Sequence, residues 1–175
     1  MKLALYGFMG AGKSSLGSIL AKRLGYSFID LDKEIEKKTG MSIDEYFEKF
    51  GEINFRKQEH KILKEIISKD RENILLSLGG GTILQPSNRK ILDLTEYKKI
   101  YLDTDLSILI KRLAKEKNTR PLIKDISADD FALFIEALWN SRKPIYEQAA
   151  DIHVKIKDEN MEQALEKLSL LLNFN

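Results

Sequence analysis

Residues 7–14 read GFMGAGKS and follow directly on the apolar segment LALY. The run matches G-x-x-x-x-G-K-[ST] at Gly7, Gly12, Lys13 and Ser14, with a further glycine at position 10. Glycines let backbone N–H groups curve round an anion with no Cβ in the way. A helical pattern begins near Lys13, so the positive end of a helix dipole would face the same anion. In that arrangement Lys13 neutralises β- and γ-phosphates, and the Ser14 hydroxyl ligates Mg2+. Gly10, Ala11, Gly12 and Ser15 complete the cradle around them. The turn reads as a site for a nucleoside triphosphate.

A phosphoryl acceptor needs its own groups at the same edge of the sheet, beyond the carboxyl ends of the strands. The segment IDLD sets Asp30 and Asp32 two residues apart, and in an extended chain both would point the same way. One carboxylate can hold Mg2+ through water while the other accepts the proton of an acceptor hydroxyl. In GEINFRKQEH, Arg56 and Glu59 are three apart on a helical pattern, the spacing of a solvated ion pair. The run ILLSL leads into Gly79, Gly80 and Gly81, where bare backbone can approach a ligand closely. Arg120 lies in the charged segment KEKNTRPLIKD (115–125), read as a mobile loop from which an arginine can swing over phosphates. Arg142 precedes Pro144 and is read as lying near a helix end. Two guanidinium groups, Arg56 and Arg142, around a glycine-lined pocket suit an acceptor that carries a carboxylate. No N-K-x-D run is present for reading guanine, which disfavours a GTPase switch.

These residues need a scaffold of alternating elements. Apolar runs at 2–6, 26–31, 73–78, 98–103 and 150–156 predict strands, most of them without a polar face, as in buried parallel sheets. Between them, Leu16, Ile19, Leu20 and Leu24 share a helical face, as do Ile62, Ile66 and Ile67, Leu106, Ile110 and Leu113, and Leu165, Leu168 and Leu172. Ser42 and Glu45 form a capping box opening a short helix. Strand–helix alternation implies right-handed crossovers with helices on both faces of the sheet.

The 175 residues are 43% hydrophobic and 32% charged, enough for one domain with a real core. Formal charge is +2, from 29 basic and 27 acidic residues, which argues against a bulk nucleic-acid surface. There is no cysteine, so disulfides and thiolate zinc sites are excluded and a reducing cytoplasm is expected. No run has the length of a signal peptide's apolar region or of a membrane helix.

The pieces GFMGAGKS, FIDLD, NFRKQE, SLGGG, RPL and R-x-P-x-Y-x-x-x-A-D (142–151), in this order over nearly the whole chain, resemble those of shikimate kinases. That resemblance implies an α/β fold of three layers, with a five-stranded parallel sheet in order 2-3-1-4-5. It implies a single kinase domain over 1–175, an acceptor-binding subdomain at about 32–60 and a lid at about 112–125. The implied activity is phosphorylation of the 3-hydroxyl of shikimate by ATP with Mg2+, in a monomer that binds neither nucleic acid nor membrane. Lys13 and Ser14 would serve ATP and Mg2+, with Asp30 holding the metal through water. Asp32 would bind the ring hydroxyls and take the proton of the 3-hydroxyl. Arg56, Arg142 and the glycines at 79–81 would hold the carboxylate and ring. Arg120 would reach the phosphates from the lid, and Arg112 would stack on adenine. After the last strand, where such kinases often carry a threonine and a proline, this chain reads KIKDENMEQ. A gluconate kinase is the alternative with the same loop and architecture; the arginine pair and SLGGG favour a cyclic carboxylate.

Overall fold

Four consecutive residues of the first strand, Leu3 to Tyr6, have no solvent exposure at all. Successive strand side chains point to opposite faces, so burial of all four requires cover on both sides. The computed structural model supplies it. It describes residues 1–69, 71–117, 120, 122–157 and 160–172. Strands β1 (Lys2–Gly7), β2 (Ser27–Asp30), β3 (Ile74–Ser77), β4 (Tyr97–Thr104) and β5 (Ile152–Ile156) form one sheet in the expected order β2-β3-β1-β4-β5, with every pairing parallel. The helices are α1 (Lys13–Leu24), α2 (Leu31–Thr39), α3 (Ile43–Ile67), α4 (Pro86–Asp93), α5 (Leu106–Lys115), α6 (Ala128–Ala149) and α7 (Met161–Leu171), with a 3-10 turn at Thr82–Leu84. Helices α1 and α7 cover one face, while α4 and α6 pack against β4 on the other. Among the described residues no helix is long and apolar enough to cross a membrane.

Helix α1 stops at Gly25, which takes a left-handed φ of 67°. The Tyr26 amide then returns to the Ala21 carbonyl at 2.8 Å, and the chain enters β2 at once. The buried stripe of α1 is Leu16, Gly17, Leu20 and Ala21; Ile19, expected on that face, is 38% exposed. The small residues win because α1 lies so close to the sheet that a Cβ on Gly17 would meet the Phe28 ring at 2.9 Å. In α5 the fully buried residues are Leu109 and Leu113, with Leu106 and Ile110 half-buried beside them.

The Ser42 capping box forms: Ser42 Oγ accepts from the Glu45 amide at 3.2 Å, and the Ser42 amide donates to Glu45 Oε2 at 2.7 Å. The helix it opens is short, ending in a kink at Gly51 (φ 75°, ψ 168°), after which α3 resumes on a new course. Its second half buries Phe55, Glu59, Ile62 and Ile66 on one stripe. Arg142 is not near a helix end. It lies inside α6, which runs on through Pro144 because Phe131, Ile135 and Tyr146 anchor that helix in the core. Within the expected lid, 112–125, residues 118, 119 and 121 lie outside those described, as do 158 and 159 of the KIKDENMEQ segment.

Candidate active site

The turn from β1 into α1 is built to receive an anion. Gly12 is the N-cap of α1 with φ 90°, a backbone that L side chains rarely adopt, and it offers no capping side chain. The first intrahelical bond is from the Leu16 amide to the Gly12 carbonyl at 2.9 Å, so the amides of Lys13, Ser14 and Ser15 have no helical acceptor. Four other helices fill such ends themselves, while α4 and α5 also lack a side-chain cap and an acidic first turn but follow no glycine loop. Asp30, Ser42, Ser127 and Asn160 cap α2, α3, α6 and α7, and each of these first turns carries an acidic residue. The first turn of α1 carries none. Its free amides and uncompensated dipole are therefore left for an external anion.

Lys13 Nζ donates to the Gly7 and Phe8 carbonyls at 3.2 and 3.0 Å, which arches it over the loop. Burial lowers its pKa to about 8, against the opposing pull of Asp32 and Asp30 and with the help of Arg120. An incoming phosphate would reverse that loss. Arg112 Nη1 donates to the Gly10 carbonyl at 3.2 Å, so α5 buttresses the same loop. A small cavity of about 60 Å³ opens beside it, lined by Ala11, Gly12, Leu16, Arg112, Ile156 and Asn160.

Asp30 and Asp32 meet at this edge, though not as parallel strand side chains. Strand β2 ends at Asp30, which turns to cap α2: its Oδ1 accepts the amides of Asp32 and Lys33 at 3.1 and 3.3 Å. Its Oδ2 accepts the Ser14 hydroxyl at 2.5 Å. Asp32 belongs to the first turn of α2. Asp30 itself keeps extended backbone (φ −101°, ψ 118°) while it caps, and the chain turns helical from Leu31 onward, because the cap satisfies two otherwise orphaned donors. Among the described residues no three His, Asp or Glu side chains gather into a metal cage. A hydroxyl and one carboxylate fit Mg2+ instead, a cation that takes few protein ligands and completes its shell with phosphate oxygens and water.

Beyond the loop lies a cavity of about 640 Å³ lined by Asp32, Arg56, Glu59, the glycines at 79–81, Arg120 and Arg142, with Phe47 and Phe55 as apolar wall. The structure thus brings the expected acceptor residues together. Burial pushes the Asp32 carboxyl up to about 6; Lys13 and Arg56 oppose this, and Asp30 and Glu59 add to it. A carboxylate with that affinity is a far better proton acceptor than a solvated aspartate.

Glu59 is the residue whose weight the sequence concealed. It is fully buried, and both its oxygens accept from Arg56 Nη1, at 3.2 and 3.1 Å. Arg56 also donates from Nε and Nη2 to Glu52 Oε1 at 3.3 and 3.2 Å, and its guanidinium lies over the Phe55 ring at 5.2 Å. The signal was its place on the apolar stripe with Phe55, Ile62 and Ile66. The glycine turn presses on these same groups. A Cβ on Gly81 would lie 2.4 Å from Arg56 Nη2, and one on Gly79 would lie 2.7 Å from Asp32 Oδ1. These glycines serve the protein's own side chains as well as any ligand.

Arg142 lies over the Phe8 ring at 5.7 Å and hydrogen-bonds Tyr146 one turn on. Tyr146, fully buried, donates to the Gly80 carbonyl at 2.6 Å, and its own carbonyl accepts from Tyr6 at 2.8 Å. Arg120 pairs with Glu116, its Nε at 3.1 Å from Oε2, at the rim of the cavity. Nearby, Lys124 pairs with Glu48 and, at 3.5 Å, with Asp44 of α3.

The shikimate kinase family model matches residues 9–172. A shikimate kinase of Francisella philomiragia is 38% identical over 96% of this chain and 92% of its own length. Among solved structures, a shikimate kinase from Acinetobacter baumannii in complex with shikimate superposes with a TM-score of 0.86 at 35% identity, covering 98% of this chain and 93% of that one. A gluconokinase from Sinorhizobium meliloti reaches a TM-score of 0.58 at 15% identity over 98% and 91% of the two chains, a likeness of fold alone.

Proposed function

Since the chain belongs to the shikimate kinase family, we propose that it transfers the γ-phosphoryl group of ATP to the 3-hydroxyl of shikimate. The products are shikimate 3-phosphate and ADP, a step toward chorismate and the aromatic amino acids. The enzyme acts as a cytoplasmic monomer. One observation carries the acceptor assignment: Arg56 and Arg142 line the same cavity as the half-buried Asp32, beside the glycine turn. Two guanidinium groups match a carboxylate at one end of a small polyol, and Asp32 matches a hydroxyl at the other.

In this reading the amides of Lys13, Ser14 and Ser15 hold the phosphates, and Lys13 offsets charge that spreads over the γ-phosphoryl oxygens. Ser14 and Asp30 hold Mg2+, which when bound neutralises phosphate charge. Asp32 orients the acceptor hydroxyl and takes its proton as the new P–O bond forms and the bond to the β-phosphate oxygen breaks. Arg120 adds positive charge from the rim, and the segment around it excludes water that would compete as acceptor. Arg112 borders the small cavity assigned to adenine. The acceptor-binding subdomain is assigned to about 32–60 and the lid to about 112–125. ADP release measured with shikimate, with gluconate and with no acceptor tests the proposal. Release should depend on shikimate; equal release without acceptor, or preference for gluconate, would overturn it.

A further inference from the structure

The Arg56–Glu59 pair does not stand alone. Glu59 Oε1 also accepts the Thr82 hydroxyl at 2.7 Å, and neither residue has any solvent exposure. Thr82 opens the 3-10 turn directly after the glycines, its amide donating to the Gly79 carbonyl at 3.2 Å. The turn is pinned from its far side by Asn88 of α4, also fully buried, whose Nδ2 donates to the Thr82 carbonyl at 3.0 Å. That bond fixes the orientation of the Asn88 amide and leaves its Oδ1 facing His60 Nδ1 at 2.7 Å. His60 lies next to Glu59 on α3. The chain of contacts therefore leaves α3 at His60, crosses α4 and the 3-10 turn, and returns to α3 at Glu59.

A buried carboxylate that must hold an arginine needs its remaining lone pairs filled, or it turns toward whatever donor is nearest. Thr82 is placed for this, because a Cβ on Gly79 would lie 3.0 Å from its hydroxyl and 3.3 Å from Glu59 Oε1. The same position is 2.7 Å from Asp32 Oδ1, so the Thr82 hydroxyl is fixed where the two acidic groups converge. We propose that Thr82, held by Asn88 and His60, is a positioning residue that aims Glu59 and through it the guanidinium of Arg56 at the acceptor carboxylate. The inference rests on the assignment of Arg56 to the acceptor.

Three substitutions separate the hydroxyl from the volume: Thr82→Val and Thr82→Ala remove the donor, while Thr82→Ser keeps it. Steady-state kinetics with shikimate and ATP should show the shikimate KM about fivefold higher in the first two, the loss expected for one hydrogen bond. Thr82→Ser should stay within about twofold of the parent, and the ATP KM should not move in any of the three. Should Thr82→Val fail to fold, the contrast between Ala and Ser decides. An effect that follows size, with Ala and Ser alike, or a parallel rise in the ATP KM, overturns the proposal. Arg56→Ala is the control: if it leaves the shikimate KM unchanged, the acceptor assignment falls and this inference with it. If Arg56→Ala is impaired and Thr82→Ala is not, only the inference falls.

Discussion

The Ser14 hydroxyl donates to Asp30 Oδ2 at 2.5 Å, while the other oxygen of Asp30 caps helix α2. One carboxylate thus couples the phosphate loop to the element that carries Asp32. Asp30 has two tasks, and substitutions can divide them.

Asp30→Asn keeps an oxygen for the cap and loses the charge; Asp30→Ala loses both. The Mg2+ concentration for half-maximal turnover should rise several-fold in both variants. Stability should fall by about 1 kcal/mol only in the alanine variant, where the cap is gone. Thermal denaturation and Mg2+ titration check the two effects separately. An unchanged Mg2+ requirement would remove Asp30 from the metal site.

Asp32 links activity to pH. Its carboxyl is raised to about 6, and a proton acceptor must be ionised, so kcat/KM should drop as pH falls through about 6. Stability runs the other way. The folded protein holds this proton more tightly than the unfolded chain does, so the group's contribution is present below its ordinary value of 3.8 and is lost as pH rises through about 6. Asp32→Asn should therefore abolish nearly all turnover yet raise stability at pH 7.5 by about 1–2 kcal/mol, a gain that vanishes below about pH 4. Melting curves at the two pH values test the sign. A variant destabilised at pH 7.5 would contradict the origin given for the shift.

For Arg120→Ala, turnover should fall about a hundredfold with little change in the shikimate KM, since its charge is needed when phosphoryl charge develops. A loss confined to the shikimate KM would place Arg120 in the acceptor pocket instead.

Much of the framework could be read from the chain because buried parallel strands are continuous apolar runs with glycine or acidic residues at their ends. All five were found within about two residues of their limits. The phosphate loop was legible for a similar reason: its chemistry needs particular residues at a fixed spacing. The IDLD segment was misread in its geometry, because strand and helix N-cap differ there by one residue's backbone and the sequence shows both aspartates either way. In α6 the helical spacing of Phe131, Phe134, Ile135 and Leu138 is interrupted by Pro144, which reads as a helix end, and α4 is only eight residues long with a proline at its start. Arg56 and Glu59 have the spacing of a solvated pair, and that spacing alone says nothing of what packs over it. Its spacing places Glu59 on a stripe with Phe55, Ile62 and Ile66, but only the fold shows Thr82, from a distant part of the chain, holding it there.

The central claim concerns which atom receives the phosphoryl group. Incubation with ATP, Mg2+ and shikimate, followed by NMR of the product, tests it most directly. Phosphorus should couple to the ring proton at the 3-position, with phosphorylated product and ADP formed in equal amounts. ADP formed without phosphorylated shikimate, or phosphate on another hydroxyl, would contradict the account.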